Sequence, residues 1–333
     1  MTFSTDHAPV LSEGQLPRSA GNAADAADSA NPAGSVVAVD GVTRRYRQVI
    51  ALNDVTCHIR RDVITGLLGR NGSGKTTLLR IIAGQEFPTD GSVTVCGATP
   101  AENPAVAHRL AFIREDQCYP DIQVQQALSI ASYAFSNWDH DFAMRLVTDF
   151  ELPLKRKIRK LSRGMRSALG IVIGLASRAE LTMFDEPIAG LDPVARQMFY
   201  DHLLADYATH PRTFVISTHL IDEIAGLLED VLLMSRGGIA MEASADELRG
   251  SIVTVTGPRA AVETFAAERG QWHVDAIGGH ARATIQRPLT DADHAAAKTL
   301  GLTVEPITLQ QFLVQLDGAN GAPTFEAEQE VSR

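Results

Sequence analysis

The stretch GRNGSGKTT, Gly69 to Thr77, directly follows the apolar run Val63-Ile64-Thr65-Gly66-Leu67-Leu68 and leads into Leu78-Leu79-Arg80-Ile81-Ile82. It fits the pattern G-x-x-x-x-G-K-[ST] in full, set between a strand-like run and a helix-like one. Glycines at Gly69, Gly72 and Gly74, spaced by Asn71 and Ser73, let the backbone curl so that successive N–H groups face one point. A helix starting near Gly74 adds its positive end at the same place, and such a cradle suits an anion. Lys75 can then reach the β- and γ-phosphates of a nucleotide, while Thr76 offers a hydroxyl to a phosphate-bound Mg²⁺. A chain carrying this strand, loop and helix is expected to be an α/β protein with the loop at the end of a buried strand.

The 333 residues, 45% of them hydrophobic, suffice for a sizeable core in one large domain or two modest ones. A net charge of −10 argues against a nucleic-acid partner, which calls for a dominant basic footprint. Nucleotides need only a local site. The three cysteines, Cys57, Cys96 and Cys118, share no metal-type or redox-type spacing and are expected to be reduced thiols. No apolar run approaches the length of a membrane span; the longest, near Leu169 to Ala176, is interrupted by Gly170 and Gly174. With no basic-then-apolar leader at the N-terminus, a cytoplasmic location is expected.

Residues 1–34 are rich in Ala, Ser, Asp, Asn, Gly and Pro without apolar periodicity, and are expected to be a disordered tail. From Ser35 the runs VVAVDGVTRRYR and ALNDVTCHIRR read as strands leading to the one before the loop. Tyr46 lies here, and an aromatic at this point either stacks on an adenine ring or packs within the strand. Gly84 ends the helix after the loop, and FPTDGSVTVCG reads as a turn followed by a strand. Between about 116 and 177 the strand signal gives way to helical spacing in IQVQQALSIASYAF, DFAMRLVTDF and GMRSALGIVIGLAS, a helical insert. The basic run KRKIRKLSRGMR inside it reads as a solvated face. At its end, Ser162 as an N-cap and Gly164 as a point of close approach combine with exposed N–H groups into a second anion site.

Next comes LTMFDEP, Leu181 to Pro187, a buried-type strand ending in two adjacent carboxylates. Neighbours on a strand point to opposite sides, so Asp185 and Glu186 can do different work. Asp185 can contact Mg²⁺ through its water shell, while Glu186 can polarise an attacking water. A further buried-type strand, TFVISTHL, ends at His219. From Ser251 the elements follow a β-α-β-β-α-β order, that of a small ferredoxin-like α+β unit over 251–317. It includes a short helix LQQFLVQL and is followed by a polar tail over 318–333.

Taken together, GRNGSGKTT, LSRGM, LTMFDEP, AGLD and the strand-end His219 closely resemble the nucleotide-binding subunit of ATP-binding cassette (ABC) transporters over roughly residues 36 to 250, and most nearly bacterial cassettes of the multidrug or antibiotic-export type. The resemblance implies that Tyr46 stacks on adenine and that Gly69, Asn71, Gly72, Ser73, Gly74, Lys75, Thr76 and Thr77 form the phosphate loop. It implies that Ser162 and Gly164 belong to the signature that touches the γ-phosphate held by a second subunit. Two ATP molecules are then sandwiched in a head-to-tail pair, so a chain with one cassette must dimerise. Asp185 resembles the Mg²⁺-linked carboxylate, Glu186 the catalytic glutamate, Asp192 the residue linking the two halves, and His219 the γ-phosphate switch. Two departures stand out. The usual LSGGQ-like signature is LSRGM here, with Arg163 and Met165 in place of small and amide residues. The family's glutamine at the junction with the insert falls on Glu115 by alignment of LAFIRE, with Gln117 two residues on. At that junction the resemblance implies a ligand to Mg²⁺.

The expected fold is an α/β P-loop NTPase core over 35–250, with a β-rich N-terminal subdomain and the helical insert, plus the small C-terminal domain. The expected reaction is ATP hydrolysis with Mg²⁺, driving a separate integral membrane permease at the inner face of the cell membrane, in the direction of export. A soluble cassette without a permease is the alternative. A GTPase is disfavoured because no N-K-x-D motif occurs.

Overall fold

The computed structural model describes residues 34–251, 253–269, 271–285 and 289–306. The expected N-terminal tail up to residue 33, the helix LQQFLVQL and the polar C-terminal tail lie outside the described residues.

The chain opens with a hairpin, β1 (Ser35–Tyr46) and β2 (Val49–Arg60). Then come β3 (Ile64–Leu68), α1 (Lys75–Ile82) and β4 (Asp90–Val95). The strands β1, β2 and β4 form an antiparallel sheet in the order β2-β1-β4. Its apolar positions, among them Val37, Val39, Leu52 and Val55, pack with Leu78, Leu79 and Ile82 of α1. After α2 (Pro104–Ala107) and β5 (Leu110–Arg114) the chain turns helical, with α3 (Val124–Ala134), α4 (His140–Asp149) and α5 (Arg163–Ala176). The strands β6 (Leu181–Asp185) and β7 (Thr213–Thr218) flank α6 (Pro193–Thr209). After α7 (Ile221–Ile224), a second hairpin, β8 (Asp230–Ser235) and β9 (Gly238–Ser244), leads to α8 (Ala245–Ser251).

The central sheet runs β5-β6-β7-β3-β8-β9, parallel except for the antiparallel edge strand β9. Every residue of β3, β6 and β7 is buried, as strands covered on both faces require, which is why they appear in the sequence as unbroken apolar runs. Alternate residues serve opposite faces. Leu67, Met183 and Val215 join α1 and the N-terminal sheet, whereas Leu68, Phe184 and Ile216 join the helices α3 to α6. Phe184 stacks on Phe214 with ring centroids 6.4 Å apart and meets Phe199 edge-on at 5.4 Å. Among the described residues no helix is long and apolar enough to cross a membrane.

Beyond α8 lie β10 (Val253–Pro258), α9 (Arg259–Ala267), β11 (Gln271–Ile277), β12 (His280–Ile285), α10 (Asp291–Thr299) and β13 (Thr303–Pro306). This is the expected β-α-β-β-α-β sequence, folded as an antiparallel sheet in the order β11-β12-β10-β13. Val255, Val262, Phe265, Ala283, Ile285 and Leu302 form a core of its own. Ala245 and Leu248 of α8, by contrast, pack into the core of the large sheet. We propose on this ground that the boundary between two separable units falls at about residue 250. Truncation after Gly250 should leave a cooperatively folding fragment with near-native far-UV circular dichroism, and loss of a cooperative melting transition would overturn the division.

Candidate active site

The strands β6, β7 and β3 are neighbours in the sheet, and their carboxyl ends lie level: Asp185 pairs with Ser217, and Leu68 with Thr218. In open α/β sheets the crevice beyond these ends is where ligands bind. Three connections leave it here: Gly69 to Gly74 after β3, Glu186 to Leu191 after β6, and His219 after β7.

The first connection curls back under Gly74, which has φ 106° and lies so close to β2 that a Cβ would come within 2.7 Å of the Ala51 carbonyl oxygen. Glycine alone fits there. Asn71 and Gly72 are exposed at the crest, and the buried Ser73 Oγ has no hydrogen-bond partner. Lys75 is only 5% exposed, and its Nζ donates to the carbonyl oxygens of Gly69 at 2.7 Å and Arg70 at 3.1 Å. Burial pulls the Lys75 pKa down, while the carboxylates of Glu186 and Asp185 push it the other way. The helix α1 has neither a capping side chain nor an acidic residue in its first turn. The N–H groups of Lys75, Thr76 and Thr77 therefore remain available to an external anion.

Asp185, 5% exposed, accepts from Thr76 Oγ1 at 2.7 Å through one oxygen and from Ser217 Oγ at 2.8 Å through the other. Its carbonyl oxygen accepts from Glu115 N at 3.1 Å. Glu186 follows with φ 51°, a left-handed conformation that costs a non-glycine residue about 1–3 kcal/mol and recurs at functional sites. Its N–H donates to the Ser217 carbonyl at 3.0 Å. One carboxylate oxygen lies 2.9 Å from His219 Nδ1, and the other is buried without a partner. His219 itself is half exposed.

The remaining residues singled out in the sequence lie around this centre. Tyr46, at the end of β1, donates to the Glu86 carboxylate, and the Arg44 guanidinium sits 4.7 Å from its ring centroid. Arg44 and Glu86 are also paired at 2.8 Å. Tyr46 therefore belongs to a polar surface cluster instead of the core. Glu115, one residue past β5, pairs with Arg163, whereas the Gln117 side chain accepts from Arg114 N at 3.4 Å. Ser162 caps α5 by accepting from Met165 N at 3.1 Å, and Asp192 caps α6 by accepting from Ala195 N at 2.9 Å. A Cβ on Gly164 would come within 2.7 Å of the Gly190 carbonyl oxygen, and Ser167 Oγ donates to the Ala189 carbonyl at 2.8 Å. The start of α5 is thereby held against the loop that follows Glu186. The structure thus gathers Lys75, Thr76, Asp185, Glu186 and His219 in one crevice, with Ser162 and Gly164 behind the Glu186 loop. Ser217 is the residue that sequence reasoning missed; its only signal is a hydroxyl two places before His219 in an otherwise buried run.

Among the described residues no group of three or more His, Cys, Asp or Glu side chains could hold a metal alone. The Thr76 hydroxyl and the Asp185 and Glu186 carboxylates are nevertheless hard oxygen donors, suited to a Mg²⁺ delivered on phosphates. The two unpartnered buried oxygens, Ser73 Oγ and one of Glu186, fit a crevice that completes its hydrogen bonds with a ligand.

An anion cradle at the end of a parallel strand, with paired acids at the end of the next strand but one, defines a P-loop nucleotide-hydrolysing core. A family model described as ABC transporter matches residues 52–189. The doxorubicin resistance ATP-binding protein DrrA of Mycobacterium tuberculosis is 30% identical over 222 residues, 64% of this chain and 67% of the relative. The ABC transporter ATP-binding protein YtrB of Bacillus subtilis is 28% identical over 61% of this chain and 70% of its own length, and the bacitracin transport ATP-binding protein BcrA of Enterococcus faecalis is 29% identical over 64% and 70%. Among solved structures, an ATP-binding subunit of an ABC transporter superposes with TM-score 0.58 at 24% identity, covering 65% of this chain and 92% of that one. A dimeric ATP-binding cassette bound to ADP and Pi gives 0.56 at 20%, covering 63% and 98%. The chain belongs to the ATP-binding subunits of ABC transporters, and its reaction is ATP hydrolysis.

Because Ser217 is fully buried and satisfies one oxygen of an almost inaccessible carboxylate, its removal strands that oxygen. Ser217→Ala should lower unfolding free energy by about 1–3 kcal/mol in urea titration; an unchanged midpoint would show that the bond contributes nothing.

Proposed function

We propose that this chain is the motor subunit of an exporter, working as a homodimer on a separate integral membrane permease at the inner face of the cell membrane. The observation that carries the reading is the pairing of Thr76, in the first turn of α1 beside Lys75, with Asp185, and of Glu186 with His219 across the adjacent ends of β6 and β7. Export is supported by relatives named for doxorubicin resistance, bacitracin transport and Nod factor export. Docking of the helical insert on a permease is supported by α3, which leaves Ile130 57% and Tyr133 89% exposed. A soluble cassette uncoupled from transport is not favoured by these relatives.

In this proposal the N–H groups at the start of α1 and the Lys75 ammonium hold the β- and γ-phosphates of ATP. Mg²⁺, when bound, supplies charge neutralisation on those phosphates, with Thr76 and Asp185 as its protein-side oxygens and Glu115 within the junction beside them. Glu186 uses its unpartnered oxygen to orient a water in line with the γ-phosphate. His219, fixed by the other oxygen of Glu186, donates toward the γ-phosphate oxygens as charge gathers there. Tyr46, stiffened by Arg44 and Glu86, offers its remaining ring face to adenine. Ser162 and Gly164 face the nucleotide of the second copy, and Asp192 lies at that interface.

Two substitutions test this assignment. Lys75→Ala should abolish ATP turnover while circular dichroism stays native, and unchanged ATPase activity would sink the nucleotide assignment. Glu186→Gln should keep ATP binding and slow hydrolysis by at least about a hundredfold, since an amide holds water but is a poor base. Sizing chromatography of that variant with Mg-ATP should reveal a dimer; a monomer alone would count against the sandwich.

A further inference from the structure

Two of the three positions at which this sequence departs from the family pattern, Glu115 and Arg163, are the halves of one ion pair: the Glu115 carboxylate is bound by the Arg163 guanidinium. We propose that Arg163 is a positioning residue that competes with the phosphate-bound cation for Glu115, so that loading the nucleotide site releases the N-terminus of α5 from the end of β5. This rests on the nucleotide site proposed above and adds a regulatory link to it.

The backbone fixes where Glu115 stands. Arg114 pairs in register with Asp185, and the next residue, Glu115, donates its N–H to the Asp185 carbonyl. Asp185 in turn holds Thr76 of the phosphate loop. The Glu115 carboxylate therefore begins one residue beyond the acid that faces the cation. A carboxylate there suits a hard divalent ion better than the amide of a glutamine would.

Arg163 stands at the other end of the link. It is the first residue of α5, directly after the capping Ser162, where the helix dipole disfavours a cation and where the first turn has no acid to offset it. A carboxylate from outside the helix offsets that unfavourable placement. Asp116, the next acid along, is already engaged by Arg80 at 3.3 Å and Arg114 at 3.5 Å, which leaves Glu115 for Arg163. To reach it, the Arg163 side chain lies over Gly190, where a Cβ would meet its Cγ at 2.9 Å. The Arg163 side chain thus spans the loops after β5 and β6, its aliphatic stem over Gly190 and its guanidinium on Glu115.

The pair is weak enough to be exchanged. The Arg163 side chain is 62% exposed and that of Glu115 35%, so solvent screens the attraction and a divalent ion on phosphates can displace the arginine. Once released, Arg163 no longer ties α5 to the end of β5, and Ser162 can move together with the Glu186 loop on which the helix rests. Arg163 acts through Glu115 and is not itself a catalytic residue.

The competition is measurable without turnover. Full-length protein is loaded with a non-hydrolysable ATP analogue and titrated with Mn²⁺, reading free metal by electron paramagnetic resonance. Arg163→Gln should tighten Mn²⁺ binding by about two- to fivefold, the scale of an exposed ion pair. Glu115→Gln should weaken it, and Arg163→Gln should add nothing in the Glu115→Gln background. Arg163→Lys, which keeps the charge, should stay within about twofold of the parent chain. An equal Arg163→Gln shift in both backgrounds, or a shift toward weaker binding, would overturn the competition while leaving the nucleotide site intact. If the analogue fails to bind the parent chain, the nucleotide assignment falls and this inference falls with it.

Discussion

A carboxylate shut away from water must find its donors inside the protein or lose its charge, and Asp185 finds them on two other elements. Thr76 comes from the first turn of α1, Ser217 from β7, and the Asp185 backbone carbonyl takes the N–H of the residue after β5. One residue thereby locks the phosphate loop, three strand ends and the junction with the insert into a single arrangement. The opposite end of the sheet has a purely structural counterpart. There Arg212, 5% exposed, pairs with buried Asp206 at 2.6 Å, and Asp206 also holds Arg178 at 3.1 Å. Both networks are buried and charged, but the one around Asp185 lies beside the phosphate loop at the carboxyl ends of the strands, where Ser73 Oγ and one oxygen of Glu186 have no partner.

Adjacent acids acquire different surroundings through the backbone. Asp185 ends β6 in extended conformation with both oxygens used, whereas Glu186 turns left-handed and keeps one oxygen free beside His219. The strain at Glu186 is held by its N–H bond to Ser217, so a single strand residue supports both acids. Lys75 completes the balance, since its burial disfavours the ammonium and the two carboxylates favour it.

Much of this was legible in the sequence. The runs before Gly69, up to Asp185 and before His219 are unbroken and apolar because β3, β6 and β7 are covered on both faces, and the polar residues that interrupt them mark the crevice. The alternation of elements after Ser251 likewise foretold the C-terminal sheet, because each helix there returns the chain to a strand beside its neighbours. Contacts between distant residues were not legible. Tyr46 and Glu86 are 40 positions apart, and Glu115 and Arg163 are 48 apart; Tyr46, Glu115 and Arg163 each stand out in the sequence, but nothing there pairs them with their partners. Ser217 was hidden for another reason: a small hydroxyl inside an apolar strand has no periodicity of its own, and only the register with Asp185 reveals its use.

The contact between Gly164 and Gly190 carries a mechanical consequence. Side chains between two elements absorb small displacements by changing rotamer, but a helix backbone resting on a loop carbonyl has no such slack. The 14-residue helix α5, about 21 Å long, is therefore stiffly joined at its N-terminus to the loop that begins at Glu186. On the roles proposed above, a push on its far end at Ala176 reaches Glu186 as a tilt, so that load on the helical insert and the timing of hydrolysis share one lever.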